Sequence, residues 1–303
     1  MLQKYPAPIE ALPGPWDKAG ISVSVKREDL LHPGVSGNKW RKLIGNLRAA
    51  RDAAMETLLT FGGAYSNHIY ATAAAAQEAG FRSVGVIRGE EHLPLNPTLQ
   101  FAQEAGMRLH YMDRSTYRQK EGTEVVIQLR QEFGDFYLIP EGGSNALALE
   151  GLREMMEEIQ EDFDYILCAC GTGCTLAGVV SALPVSMQAI GVPALKGGDF
   201  LYADAARLAG MDEVGFRRKA TLWTDAHHGG YAKTSPELIR FMQELYKDTG
   251  LKTDPIYTGK VLYALAARAE AGYFKPGDKV LFIHTGGLQG LAGMEERIGA
   301  IFG

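Results

Sequence analysis

Short and almost wholly apolar runs recur along the chain, each near a longer stretch rich in Ala, Leu and Glu. Thr57-Leu58-Leu59-Thr60-Phe61, Ser83-Val84-Gly85-Val86-Ile87, Tyr165-Ile166-Leu167-Cys168-Ala169 and Val280-Leu281-Phe282-Ile283 read as strands, and the stretches beside them as helices. A strand apolar on both faces is buried on both, so the alternation predicts an α/β protein with mainly parallel sheets between helical layers. Ligands of such folds bind beyond the carboxyl ends of the strands, where glycine-rich turns open helices. Three turns have that character: Phe61-Gly62-Gly63-Ala64-Tyr65-Ser66-Asn67-His68, Cys170-Gly171-Thr172-Gly173-Cys174-Thr175 and His284-Thr285-Gly286-Gly287.

At 303 residues the chain exceeds the usual size of one core and predicts two domains. A break near Met55 and a return near Gly151 divide it into a large domain of residues 1–54 and 151–303 and a smaller inserted α/β domain of 55–150. The Pro-rich start (Pro6, Pro8, Pro13, Pro15) reads as an extended arm. A net charge of -5 gives no general attraction to nucleic acid or anionic lipid. No apolar run is long enough to span a membrane and the first residues lack the apolar core of a secretory signal, so the expectation is a cytoplasmic protein. Cys168, Cys170 and Cys174 are poorly spaced for bridging one another and read as reduced thiols.

Several segments carry candidate chemistry. Gly171-Thr172-Gly173-Cys174-Thr175 offers consecutive backbone N–H groups, hydroxyls and a positive helix end, for which a phosphate is the natural guest. Leu176 stands where a dinucleotide fingerprint needs its third glycine, and no Walker loop occurs, which disfavours NAD and ATP. The plain alternative is a tight strand-to-helix turn. Lys39, with Lys42 one turn on, would sit near a positive helix end, and both effects favour the neutral amine used to form Schiff bases. On spacing alone, surface lysines on an exposed helix face are the better reading. Ser66-Asn67-His68 can bind a carboxylate, or Ser66 or Asn67 can simply cap the helix that follows. A serine hydrolase is disfavoured for want of a G-x-S-x-G elbow. His227-His228 and the cysteines lack a standard zinc spacing, so no metal is expected.

Taken in order, Val25-Lys26-Arg27-Glu28-Asp29-Leu30, Gly37-Asn38-Lys39-Trp40-Arg41-Lys42-Leu43, Gly62 to His68, Pro140-Glu141-Gly142-Gly143-Ser144-Asn145, Gly171 to Thr175, Asp254-Pro255-Ile256-Tyr257-Thr258-Gly259-Lys260 and His284 to Gly287 resemble pyridoxal-phosphate enzymes of the tryptophan synthase β type. The likeness is to the branch containing 1-aminocyclopropane-1-carboxylate (ACC) deaminase and D-cysteine desulfhydrase. It implies two three-layer α/β/α domains of fold type II, a small amino-acid substrate and a homodimer. It further implies that Lys39 carries the cofactor as a Schiff base, while Lys42 and Gly171, Thr172, Gly173, Cys174 and Thr175 hold the phosphate. Asn67 would meet the cofactor ring oxygen or the substrate carboxylate, and Ser66 and His68 would complete the carboxylate pocket. Tyr257 would stack on the pyridine ring, and Tyr231 would reach the substrate.

The two activities differ at identifiable positions. ACC deaminases resemble Tyr-Glu-Gly-Lys, Ser-Asn-Gln and His-Leu-Gly-Gly, whereas Thr258, His68 and Thr285 stand here, so the likeness is to the desulfhydrase. Thr258 and Thr285 then count among the cofactor contacts. A neutral hydroxyl holds the pyridine nitrogen protonated less firmly than a carboxylate does. β-Elimination of a thiolate tolerates the weaker electron sink. The implied mechanism has Lys39, or Ser66 with a tyrosine, removing the α-proton. Tyr65, where both activities carry glutamine, and Cys174, in place of a smaller or hydroxyl residue, depart from the pattern and bear on specificity.

Overall fold

The computed structural model describes residues 2–302; Met1 and Gly303, the two ends of the expected large domain, lie outside the described residues. In chain order the strands are β1 (Ile9–Ala11), β2 (Ser22–Lys26), β3 (Thr57–Gly62), β4 (Arg82–Arg88), β5 (Met107–Met112), β6 (Tyr137–Ile139), β7 (Tyr165–Cys170), β8 (Gln188–Pro193), β9 (Ala220–Leu222) and β10 (Lys279–Ile283). They form a six-stranded sheet in the order β1-β2-β10-β7-β8-β9 and a four-stranded sheet in the order β5-β4-β3-β6. Every pair is parallel except β1 with β2. The fold is thus the expected α/β architecture of parallel sheets covered by helices.

Alternation along the central strands shows why both faces must be covered. Ile166, Cys168 and Cys170 of β7 join one buried cluster while Leu167 and Ala169 join another; β10 likewise sends Leu281 and Ile283 to the first and Val280 and Phe282 to the second. In β3 all six residues are buried, with Leu58 on one side and Leu59 and Phe61 on the other. The three cysteines are free thiols packed in this interior.

All four strands of the smaller sheet fall between residues 57 and 139, but its packing reaches further along the chain. Trp40, Leu43, Ile44 and Leu47 of the helix Asn38–Asp52 share a cluster with Leu58, Ala71, Ala75 and Ile139. The same helix meets the helix Ala146–Glu157 so closely that a Cβ on Gly151 would lie 2.1 Å from the Arg41 carbonyl oxygen. A buried ion network fixes this junction: the Arg41 guanidinium meets Glu28 at 2.8 Å and Glu158 at 2.6 Å, and Lys26 reaches Glu158 at 3.0 Å. Removing one member of such a network strands the rest, which is why it holds the first helix in place. That helix carries Lys39 and Lys42.

Candidate active site

The glycine turns after β3, β7 and β10 converge on one cavity of about 490 Å³, into which the first helix also projects. Gly37 makes this possible. Its φ is +65°, and a Cβ there would lie 2.0 Å from the carbonyl oxygen of Thr285, so only glycine lets the two loops close back to back. The Asn38 amide then donates to that carbonyl at 3.3 Å, and the helix starts with Lys39 and Lys42 both on the cavity wall.

Lys39 is half-buried at the cavity wall, and its pKa falls well below the usual lysine value, chiefly through desolvation and secondly through Lys42. Its amine is therefore available in the neutral, nucleophilic form. Position near a helix end and a charged neighbour were legible in the sequence; burial, the larger cause, was not. Lys42 is itself buried, and among the described residues its ammonium meets no carboxylate and donates to no protein acceptor.

Beside it starts the helix Cys174–Ser181, which no side chain caps. The first N–H groups of a helix lack intrahelical acceptors and carry the positive end of its dipole. Gly171, Thr172, Gly173, Cys174 and Thr175 all line the cavity. The Thr175 hydroxyl accepts from Asn38 Nδ2 at 2.9 Å, and the Thr172 and Ser144 hydroxyls lie 2.7 Å apart. A Cβ on Gly171 would approach the Tyr257 ring to 3.4 Å and narrow the cradle. An unpartnered buried cation next to an uncapped helix start fits a phosphate, and a neutral amine in the same cavity fits an aldehyde.

Ser66, Asn67 and His68 line the same cavity. Ser66 caps the helix Asn67–Ala79, its hydroxyl oxygen accepting from the His68 and Ile69 amides at 3.2 and 3.3 Å, yet it still faces the cavity. The Asn67 amide makes no hydrogen bond within the described protein and stands free for a ligand. His68 does not fit its expected role. Thr60 Oγ1 lies 2.8 Å from both the Ile139 carbonyl oxygen and His68 Nε2. The Thr60 proton goes to the carbonyl, which leaves its oxygen able to accept from Nε2, while Nδ1 makes no hydrogen bond among the described residues. Burial, then Lys39 and Lys42, push the His68 pKa well below its ordinary value. A ring kept neutral in this way offers a carboxylate no charge.

Tyr231 and Tyr257 meet edge to face, centroids 6.1 Å apart, at one end of the cavity. Burial, and next the Tyr231 ring, raise the Tyr257 pKa well above that of a free phenol, so it stays protonated. Thr258 does not line the cavity. It is wholly buried, and its hydroxyl donates to Asp254 Oδ2 at 2.6 Å while accepting from the Asp254 amide at 2.8 Å. The cavity hydroxyl from the C-terminal segments is that of Thr285. Asp254 also takes the amides of Ile256, Tyr257 and Thr258 at 2.9, 2.7 and 3.0 Å, and so fixes the tyrosine ahead of its helix. Sequence reasoning assigned it no role, although an Asp-Pro pair before a helical run is a recognisable start signal.

Tyr65, expected to bear on specificity, lines the cavity, as do the arginines Arg88 and Arg297, which had been assigned no role there. Tyr65 is 41% exposed, its ring where a Cβ on Gly293 would come within 2.8 Å. The two adjacent histidines serve a loop: His227 Nδ1 accepts from the Gly229 amide, and His228 Nδ1 lies 3.2 Å from Ser235 Oγ. No group of three potential ligands able to hold a metal occurs among the described residues. Among them, too, no helix is long and apolar enough to cross a membrane.

Comparison with known proteins bears on this geometry. A family model described as pyridoxal-phosphate dependent enzyme matches residues 1–286. A Thermotoga maritima protein, named only as a candidate ACC deaminase, is 35% identical over 98% of this chain and 98% of its own length. An Arabidopsis thaliana protein, named as a bifunctional mitochondrial D-cysteine desulfhydrase/ACC deaminase, is 31% identical over the whole of this chain and 81% of its own. A crystal structure described as an ACC deaminase homologue superposes with a TM-score of 0.84 at 30% identity, covering 100% of this chain and 95% of the other.

Proposed function

Because the chain belongs to the pyridoxal-phosphate dependent enzymes, we propose that it eliminates sulfide from D-cysteine, yielding pyruvate and ammonia. The observation that carries the reading is the partnerless, buried Lys42 ammonium beside an uncapped helix start, in one cavity with the low-pKa amine of Lys39. When bound, pyridoxal phosphate supplies an aldehyde for an amine and a ring that accepts the electrons left when the α-proton departs.

The protein's residues divide the remaining work. Lys42 and the amides of Gly171 to Thr175 would hold the phosphate, and Lys39 would hold the aldehyde and serve as the base for the α-proton. Ser66 and Asn67 bind the substrate carboxylate. His68, its pKa held low by burial and by Lys39 and Lys42, shapes that wall as a neutral ring. Tyr257 would pack on the ring and, with Tyr231, move protons at the leaving-group end, and Thr285 would offer its hydroxyl to the ring. Loss of HS⁻ from the β-carbon leaves an enamine that, after release, tautomerises and takes up one water to give pyruvate and ammonia.

A hydroxyl partner suits elimination better than ring opening. Glu141 is the one acidic side chain on the cavity wall among the described residues, and it is paired with Lys120 at 3.2 Å. The relatives' names favour ACC deamination as strongly, which makes it the second reading. The same proposal takes residues 55–150 as an inserted smaller domain, residues 1–54 and 151–303 as the cofactor-binding one, and the working form as a cytoplasmic homodimer. Pyruvate release from D-cysteine and from ACC, followed side by side with the purified holoenzyme, tests the choice. A visible cofactor absorption band lost in Lys39→Ala tests the site, and the absence of both band and turnover refutes the reading.

A further inference from the structure

Lys260 stands three residues after Tyr257, in the first turn of the helix Thr258–Glu270, and is wholly buried. Its Nζ faces no carboxylate within ion-pair distance among the described residues. It donates instead to three backbone carbonyls, of Ala194 at 3.2 Å, His227 at 2.8 Å and Gly230 at 2.9 Å. Three donors and three acceptors make a complete match. Ala194 follows β8 and precedes Leu195, on the cavity wall, while Gly230 precedes Tyr231, on the same wall. One ammonium thus ties together the start of the Tyr257 helix, the end of β8 and the loop that carries Tyr231.

That loop needs a tie. His228, Gly229, Gly230 and Ala232 have φ of +49°, +90°, +121° and +53°, a backbone that alanine and histidine rarely adopt unless their surroundings impose it. Tyr231 is 46% exposed, and its recorded ring contact is Tyr257. Its position follows from its backbone, and the backbone carbonyls on its N-terminal side are held by Lys260. Burial brings the Lys260 pKa down to about 8, so the three-proton form predominates at neutral pH.

We infer that Lys260 is a positioning residue: by gathering the carbonyls of Ala194, His227 and Gly230, its buried ammonium sets Tyr231 over Tyr257 at the reacting end of the cavity. The inference rests on the proposed function for the role of Tyr231.

The test compares wild type, Lys260→Met, Tyr231→Phe and the double variant as purified holoenzymes, measuring the cofactor absorption band, kcat and KM on whichever of D-cysteine and ACC is turned over. Lys260→Met is expected to keep the cofactor band, because Lys39 and Lys42 belong to another helix, and to lose at least about tenfold in kcat, within the usual range for a displaced proton-transfer group. In the Tyr231→Phe background the same change should cost less than about threefold, since the residue it positions no longer contributes. A purely structural lysine would lower activity equally in both backgrounds, and losses that multiply overturn the inference. So does Lys260→Met with turnover within about twofold of wild type while Tyr231→Phe is impaired. Should Lys260→Met fail to fold, Lys260→Gln, which keeps two N–H donors, is held to the same criteria. A wild type that shows no cofactor band and turns over neither substrate overturns the proposed function itself, an outcome distinct from additive losses in an active enzyme.

Discussion

Replacing Lys42 by methionine isolates the electrostatic part of cofactor binding. The side chain is 3% exposed and its ammonium has no protein partner among the described residues, so its work is to meet an anion that enters the cavity. Truncating one member of a buried, hydrogen-bonded charge pair costs about 2–5 kcal/mol, much of it from stranding the other charge. Here the phosphate would keep the uncapped N-terminus of the helix Cys174–Ser181, which places the loss toward the lower end of that range. At about 1.4 kcal/mol per tenfold, a loss of about 2–3 kcal/mol weakens pyridoxal-phosphate affinity by about 30- to 150-fold. Methionine preserves the unbranched stem, whose Cβ packs 3.3 Å from where a Cβ on Gly143 would sit, so the fold should survive. The assay is a titration of apoprotein with pyridoxal phosphate, read by visible absorption, beside a thermal melt. Inorganic phosphate should compete with the cofactor in wild type and far more weakly in the variant. An affinity within threefold of wild type, with an unchanged melt, would refute the assignment of Lys42 to the phosphate.

Other perturbations probe the remaining walls. Tyr257→Phe should retain the cofactor band and lose most turnover, because the ring stays while the phenol proton, held by a raised pKa, is gone; wild-type kinetics would remove Tyr257 from the chemistry. Gly37→Ala places a Cβ 2.0 Å from the Thr285 oxygen at φ +65° and should cost at least about 2 kcal/mol in a denaturant titration while impairing cofactor uptake; an unperturbed variant would contradict the back-to-back loops. Since the Lys39 pKa is lowered, more of its amine is neutral at a given pH, and reconstitution of apoprotein by pyridoxal phosphate should rise less steeply between about pH 7 and 9 than the about tenfold per unit of an ordinary lysine; a full tenfold per unit would contradict the lowered pKa. Lys260 gives opposite signs in two assays. As pH rises through about 8 its ammonium is lost and turnover should fall, whereas the unfolded chain keeps that proton up to about 10.5, so this group's contribution to folding stability rises over the same window. Asp254, which raises the Lys260 pKa, and His228, whose own pKa is lowered, are the nearby titrating groups to be controlled by Lys260→Met.

How far the sequence spoke depended on whether the relevant physics was local. β3, β4, β7 and β10 were visible because a strand buried on both faces is apolar throughout, and the turns after three of them because glycine and threonine in a row mark a strand-to-helix passage. The short edge strands β1 and β9 carry no such run, with Ile9–Ala11 half exposed, and nothing in their three residues distinguishes them from loop. The boundary expected at residue 54 divides the chain by strands, yet Trp40, Leu43 and Leu47 pack on the smaller sheet, a contact no periodicity encodes.

The site follows the same rule. Lys39, Lys42, Ser66, Asn67 and Gly171 to Thr175 could be singled out because motif and helix start lie within a few residues of one another, and the structure brings them to one cavity. Two assignments turn on partners distant in sequence or space. His68 was read as a carboxylate donor, but the Ile139 carbonyl, on another strand, takes the Thr60 proton and leaves that oxygen able to accept from Nε2. Thr258 was read as the ring-nitrogen partner that separates elimination from ring opening, but Asp254 takes its hydroxyl. A glutamate at position 258 would therefore have to displace a carboxylate already holding four donors before it could reach any ligand. The choice between the two activities accordingly passes from residue 258 to what the cavity itself presents: the Thr285 hydroxyl, the protonated Tyr257 phenol and whatever fixes Tyr231 beside it.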